Sequence, residues 1–86
     1  MQNVILDCSA ISGPEQLHDA FAQALSFPQW YGRNLDALYD CLTSITGQTT
    51  ICLLCWEHLG PWQRGFRCVL EDAAEANPCL QICWQS

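Results

Sequence analysis

Three short apolar runs stand far apart in this chain, at Asn3–Leu6, Thr49–Trp56 and Leu80–Trp84, and helical spacing or turn chemistry fills the intervals. Short runs rich in apolar and β-branched side chains, bounded by turn signals, read as strands. In the first interval, Leu17, Phe21, Ala24 and Leu25 recur at helical spacing, and Phe27-Pro28 stops the helix. Ser12 reads as its N-cap, with Glu15 three residues on completing a capping box. A second helix runs from Leu35 to about Thr43, with Asn34 as N-cap and Gly32 letting the loop turn just before it. Gly47-Gln48 marks the next turn. Beyond Gly60-Pro61, the segment from Trp62 to about Ala76 places Phe66, Val69, Leu70 and Ala73 on one helical face, and Asn77-Pro78 ends it. Strands joined through helices cannot close as hairpins, and a helical crossover is what parallel pairing requires. The order strand, helix, helix, strand, helix, strand therefore predicts an α/β fold, a small three-stranded parallel sheet flanked by helices.

The chain of 86 residues is expected to form one domain over 1–86, burying roughly 60–65% of its unfolded surface. Half of its residues are hydrophobic, which argues against disorder. It has no lysine; Arg33, Arg64 and Arg67 face nine acids, for a net charge of −6. That balance argues against nucleic-acid binding, which needs cations to neutralise phosphate. It suits attraction to a basic protein, and it equally suits plain solubility. No stretch approaches the ~20 apolar residues of a membrane-spanning helix. The N-terminal residues lack the basic start and long apolar centre of a signal peptide, which points to the cytoplasm.

Seven cysteines are expected to be reduced and to pack mostly as small hydrophobes. Cys52-x-x-Cys55 has the formal spacing of a redox or metal motif. It falls inside a strand pattern, where residues three apart point to opposite faces, so the two thiols are not expected to share an ion. His18 is expected at the surface or boundary of the first helix, and His58 lies far from it in sequence. No metal, cofactor or catalytic group is expected.

The segment Gln29–Thr43 carries the chemistry. On a helical wheel, Leu35, Leu38, Leu42 and Ile45 share one arc with Cys41 at its edge, and Asp36, Asp40 and Thr43 share the opposite arc. Tyr39 lies between the arcs, and Trp30 and Tyr31 precede the helix. Two aspartates four residues apart destabilise a helix by roughly 0.2–0.5 kcal/mol. Asp36 recovers something from the helix dipole, but Asp40 lies beyond its reach. An incidental solvated face explains the pair as well as function does on pattern alone. Carboxylates among large aromatics also suit a binding surface for a cationic partner.

The block Tyr31-Gly32-x-Asn34-Leu35-Asp36-Ala37-Leu38-x-Asp40-Cys41-Leu42-Thr43, with Leu17-His18, Leu25 and Pro28 before it, resembles the barstar family of intracellular inhibitors of the secreted ribonuclease barnase. It covers about a third of the chain, and the order of elements agrees over nearly its whole length. The resemblance implies a three-stranded parallel sheet flanked by helices. It also implies that the second helix and the loop before it plug a ribonuclease active site. Asp40 matches the aspartate that enters the phosphate pocket, and Asp36 matches a second acidic contact. Trp30 matches a tyrosine that packs on the partner's catalytic histidine, Tyr39 matches a tryptophan, and Asp72 matches an acidic contact on the last helix. Tyr31, Gly32, Asn34 and Thr43 complete the implied face. The chain departs from the family in a shorter Glu57–Arg67 segment, in Trp30 for tyrosine, and in Arg33 for an acid.

The resulting expectation is a non-enzymatic, stoichiometric inhibitor of a basic ribonuclease, an immunity protein or antitoxin, monomeric when free. The alternative is a barstar-like adaptor whose partner is not a nuclease.

Overall fold

The computed structural model describes residues 2–85. Three strands, β1 (Gln2–Asp7), β2 (Thr49–Leu54) and β3 (Leu80–Gln85), form one parallel sheet in the order β1-β2-β3. Three helices connect them: α1 (Pro14–Leu25) and α2 (Leu35–Thr43) between β1 and β2, and α3 (Gln63–Ala76) between β2 and β3. The α/β arrangement with an all-parallel sheet is the one the alternation of runs predicts.

Register gives the sheet two unlike faces. Val4, Ile51 and Ile82 form one row across it, and Leu6, Leu53 and Trp84 form another. Val4, Ile51, Leu53 and Leu80 on this face are buried beneath the helices, along with Leu17, Phe21, Leu38, Leu42, Phe66, Leu70 and Ala73. The other face carries Asn3, Ile5 and Asp7, then Thr50, Cys52 and Leu54, then Gln81, Cys83 and Gln85; Ile5 is 67% exposed there. The helices thus cover one face rather than both.

Helix ends follow local chemistry, with two differences from expectation. The N-cap of α1 is Gly13, followed by Pro14, whose missing N–H is one the first turn leaves unpaired anyway. Ser12 instead gives its backbone N–H and its hydroxyl to Oε1 of Gln16, at 2.7 and 3.0 Å, so the expected Ser12/Glu15 capping box does not form. The second difference is the end of β2 at Leu54 rather than Trp56. Cys55 turns into the left-handed region (φ 59°) and Trp56–His58 winds as a 3-10 turn. That twist buries Trp56, whose Nε1 donates to Oε1 of Gln63 at 2.6 Å and whose ring meets Trp84 edge-on at 4.9 Å.

Gly65 lies where α3 meets Leu35 of α2. A Cβ there would come within 2.9 Å of Leu35 Cδ1. At the other end of α2, buried Asn77 donates from Nδ2 to the carbonyls of Leu42 (3.0 Å) and Ile45 (2.9 Å), and its Oδ1 accepts from Cys79 N. One side chain thereby satisfies carbonyls that a helix terminus leaves open and fixes α2 against the start of β3.

Candidate partner-binding face

Helix α2 starts as its sequence dictates. Asn34 is extended, and its Oδ1 accepts from Ala37 N at 2.8 Å. Leu38 and Leu42 are fully buried, Leu35, Cys41 and Ile45 are half-buried against the core, and Asp36 and Asp40 are exposed. Neither aspartate has a cationic side chain within ion-pair distance among the described residues. Thr43 turns its hydroxyl back to the carbonyls of Tyr39 and Asp40, at 2.8 and 3.2 Å, and Ser44 Oγ reaches the Asp40 carbonyl at 2.7 Å.

The loop before α2 is held from inside. Ser26 ends α1 in a left-handed conformation (φ 56°), and Tyr31 N bonds to the Pro28 carbonyl at 3.0 Å. The Tyr31 ring is buried, 5.0 Å from Phe27, with its hydroxyl 2.6 Å from Nδ1 of His18. His18 is itself buried and packs on Phe66 at 4.7 Å. It is therefore a core histidine, not the surface or boundary residue expected. Burial pushes its pKa down from 6.5, opposed by Asp19 and assisted by Arg33. Burial first, then Cys41, pushes Tyr31 up to about 12. A phenol that keeps its proton and a neutral imidazole share one buried hydrogen bond, and the pair anchors the loop.

Gly32 does not supply the loop's unusual backbone. The left-handed residue is Arg33 (φ 51°), and no described glycine has positive φ. A Cβ at Gly32 would lie 3.0 Å from Asn34 Nδ2, so that amide would have to give way slightly. Arg33 extends its guanidinium to Asp19 at 2.9 Å, which ties the loop to α1.

With Tyr31 turned inward, Trp30 turns outward and is 78% exposed. It lines a hollow of about 300 Å³ with Asp40, floored by Leu25, Phe27, Cys41 and Ile45. The structure thus brings Trp30 and Asp40 to one apolar concavity. Asp36 and the 36%-exposed Tyr39 lie on the same helix, and Asp72 is exposed on α3. Phe27, Cys41, Ser44 and Ile45 also line the hollow but were not anticipated. The position of Cys41 at the edge of the apolar arc was the signal for it.

Among the described residues, no group of three or more His, Cys, Asp or Glu is placed to hold a metal ion. Among the same residues, no helix is long and apolar enough to cross a membrane.

The chain is 51% identical over 43 residues to a Bacillus subtilis (strain 168) protein named "Putative ribonuclease inhibitor YrdF". That match takes in 50% of this chain and 47% of the relative, so it spans about half the length of each. Residues 1–83 match the family described as Barstar (barnase inhibitor). Over nearly its full length, with the parallel sheet and helix order expected from that family, the chain belongs to the barstar family.

Proposed function

We propose that this protein is a stoichiometric inhibitor of a basic, barnase-type ribonuclease, serving as an immunity protein or antitoxin. It acts in the cytoplasm as a single 1–86 domain, monomeric when free. The observation that carries this reading is the meeting of an exposed aromatic, Trp30, and an exposed carboxylate with no ion-pair partner among the described residues, Asp40, at one apolar hollow. A ribonuclease site is a cleft lined with cations that hold phosphate. Asp40 enters it in place of the phosphate, with Asp36 as a second acidic contact and Trp30 against the catalytic histidine. Tyr39, Thr43, Asn34 and Gly32 form the rim, Tyr31 sets the loop from beneath, and Asp72 adds an acidic contact from α3. RNA is then excluded by volume and by charge. No step of this mechanism requires a cofactor, a metal or a reacting group.

The similarity to a named ribonuclease inhibitor supports the reading, as does family membership. The test is a titration of barnase, and of any small basic nuclease encoded beside this gene, with the purified protein. Loss of ribonuclease activity complete at one equivalent is expected. Binding to such a nuclease that leaves RNA cleavage intact would favour the adaptor reading.

A further inference from the structure

Cys52 lies in β2 and Cys55 in the left-handed turn after it, and Cys52 has a neighbour on the next strand. Strands β2 and β3 run parallel with Cys52 opposite Cys83 in register. Both side chains stand on the sheet face that the helices leave open, in one row with exposed Ile5. Adjacent strands lie about 4.7–4.9 Å apart. A disulfide needs Cα atoms roughly 4.4–6.8 Å apart, so the register falls within its reach. The Cys52 thiol is held above its ordinary pKa of 9.0, first by its hydrogen bond with Cys83. Gln85 Nε2 lies 3.4 Å from the Cys83 sulfur.

We propose that Cys52 and Cys83 form an oxidisable dithiol on the open sheet face, a site that reacts with a hydroperoxide and closes as a disulfide between β2 and β3. Gln85 Nε2 stands beside the Cys83 sulfur, and Cys83 attacks the oxidant. The Cys83 sulfur breaks the O–O bond of hydrogen peroxide, becomes a sulfenic acid and releases one water. The Cys52 sulfur then displaces the sulfenic hydroxyl as a second water, and the S–S bond forms. Two thiols lose two electrons and two hydrogens, and one peroxide becomes two waters. The side chains must lean together to close a bond across parallel strands. Exposed, strained disulfides are the readily reduced ones, so cellular thiols reverse the step. The site lies on the face opposite the helices, so it is independent of the ribonuclease reading.

Three of the other thiols lack such a partner in register. Burial pushes Cys8 up to about 11. Cys68 is exposed but stands on α3, away from this row, and the Cys79 sulfur contacts the Thr46 carbonyl at 3.4 Å.

The test treats the reduced full-length protein with a small excess of hydrogen peroxide, then alkylates remaining thiols in denaturant and maps the peptides. The expected product is monomeric, lighter by two hydrogens, with five of the seven cysteines alkylated and Cys52 joined to Cys83. Cys68→Ser should leave the cross-link intact, and Cys52→Ser should abolish it. Alkylation of both Cys52 and Cys83 while another cysteine is oxidised would overturn the proposal. Covalent dimers through Cys68 as the main product would do the same. Mapping the parent protein gives this answer even if a variant fails to fold.

Discussion

Single side chains decide how the proposed contact face is presented. Tyr31 and Trp30 are neighbours in sequence with opposite fates, one buried against His18 and the other 78% exposed. Tyr31→Phe keeps the ring packing but leaves the buried imidazole without its hydrogen-bond partner. It should cost about 1–3 kcal/mol, measured by denaturant unfolding. The same pair sets a pH dependence. The folded state holds the His18 pKa below 6.5, so the unfolded chain takes up the proton first as pH falls. Stability from neutral His18 is fully present above about pH 6.5 and is lost as pH drops through and below that value. The urea midpoint should fall between pH 7.5 and 5.5, and His18→Gln should flatten that slope. A parent midpoint indifferent to this change would refute the coupling. Nothing in the sequence distinguished His18 from a boundary histidine. Its burial depends on Tyr31, thirteen residues on, and on Phe66 in another helix, and helical periodicity carries no such long-range information.

At the scale of elements, the two faces of α2 were legible because its apolar spacing and its Asn34 cap agree. Leu38 and Leu42 are buried and Asp36 and Asp40 exposed, as a single helical wheel requires. Element ends were less legible wherever the backbone enters left-handed space without a glycine. Cys55 ends β2 early, and Arg33 takes the turn assigned to Gly32. Non-glycine residues adopt that region only when surrounding contacts hold them there, so the sequence carries no local mark of it. The far end of α2 depends on Asn77, a residue read only as a helix stop. Asn77→Ala should cost about 1–3 kcal/mol in unfolding free energy by removing the side-chain donor from the Leu42 and Ile45 carbonyls. Because Asn77 holds the Leu42 and Ile45 carbonyls, it should also weaken partner binding beyond what lost stability explains. A variant as stable as the parent would show that water replaces both bonds. The surface pair Arg33–Asp19 is different, with both side chains more than half exposed. It should contribute about 0–1 kcal/mol and matter for loop position instead.

On the scale of the whole molecule, net charge and parallel topology were open to reading because both follow from composition and the order of runs. The covering of only one sheet face was not, since a strand's two faces differ here in burial more than in hydrophobicity: Ile5 is as apolar as Val4. The charge of −6 should steer encounter with a basic nuclease. Its association rate should fall as the Debye length shrinks from ~30 Å at 0.01 M salt to ~8 Å at 0.15 M, with a much smaller change in dissociation. A salt-independent association rate would leave the charge to solubility alone. The central claim is that the acidic face of α2 is the inhibitory surface, and Asp40 tests it most directly. In the free protein Asp40 has no ion pair among the described residues, so Asp40→Ala should leave stability unchanged or raise it by a few tenths of a kcal/mol. In the complex it would face several cations, and truncating one side of such a buried pair costs about 2–5 kcal/mol, a range that already includes barnase–barstar. The deciding measurement is the inhibition constant of Asp40→Ala against the target ribonuclease, beside parent and Glu15→Ala proteins of equal melting temperature. Inhibition through the α2 face predicts a loss of roughly two to four orders of magnitude for Asp40→Ala and none for Glu15→Ala. An Asp40→Ala protein that inhibits as tightly as a tightly inhibiting parent would contradict it.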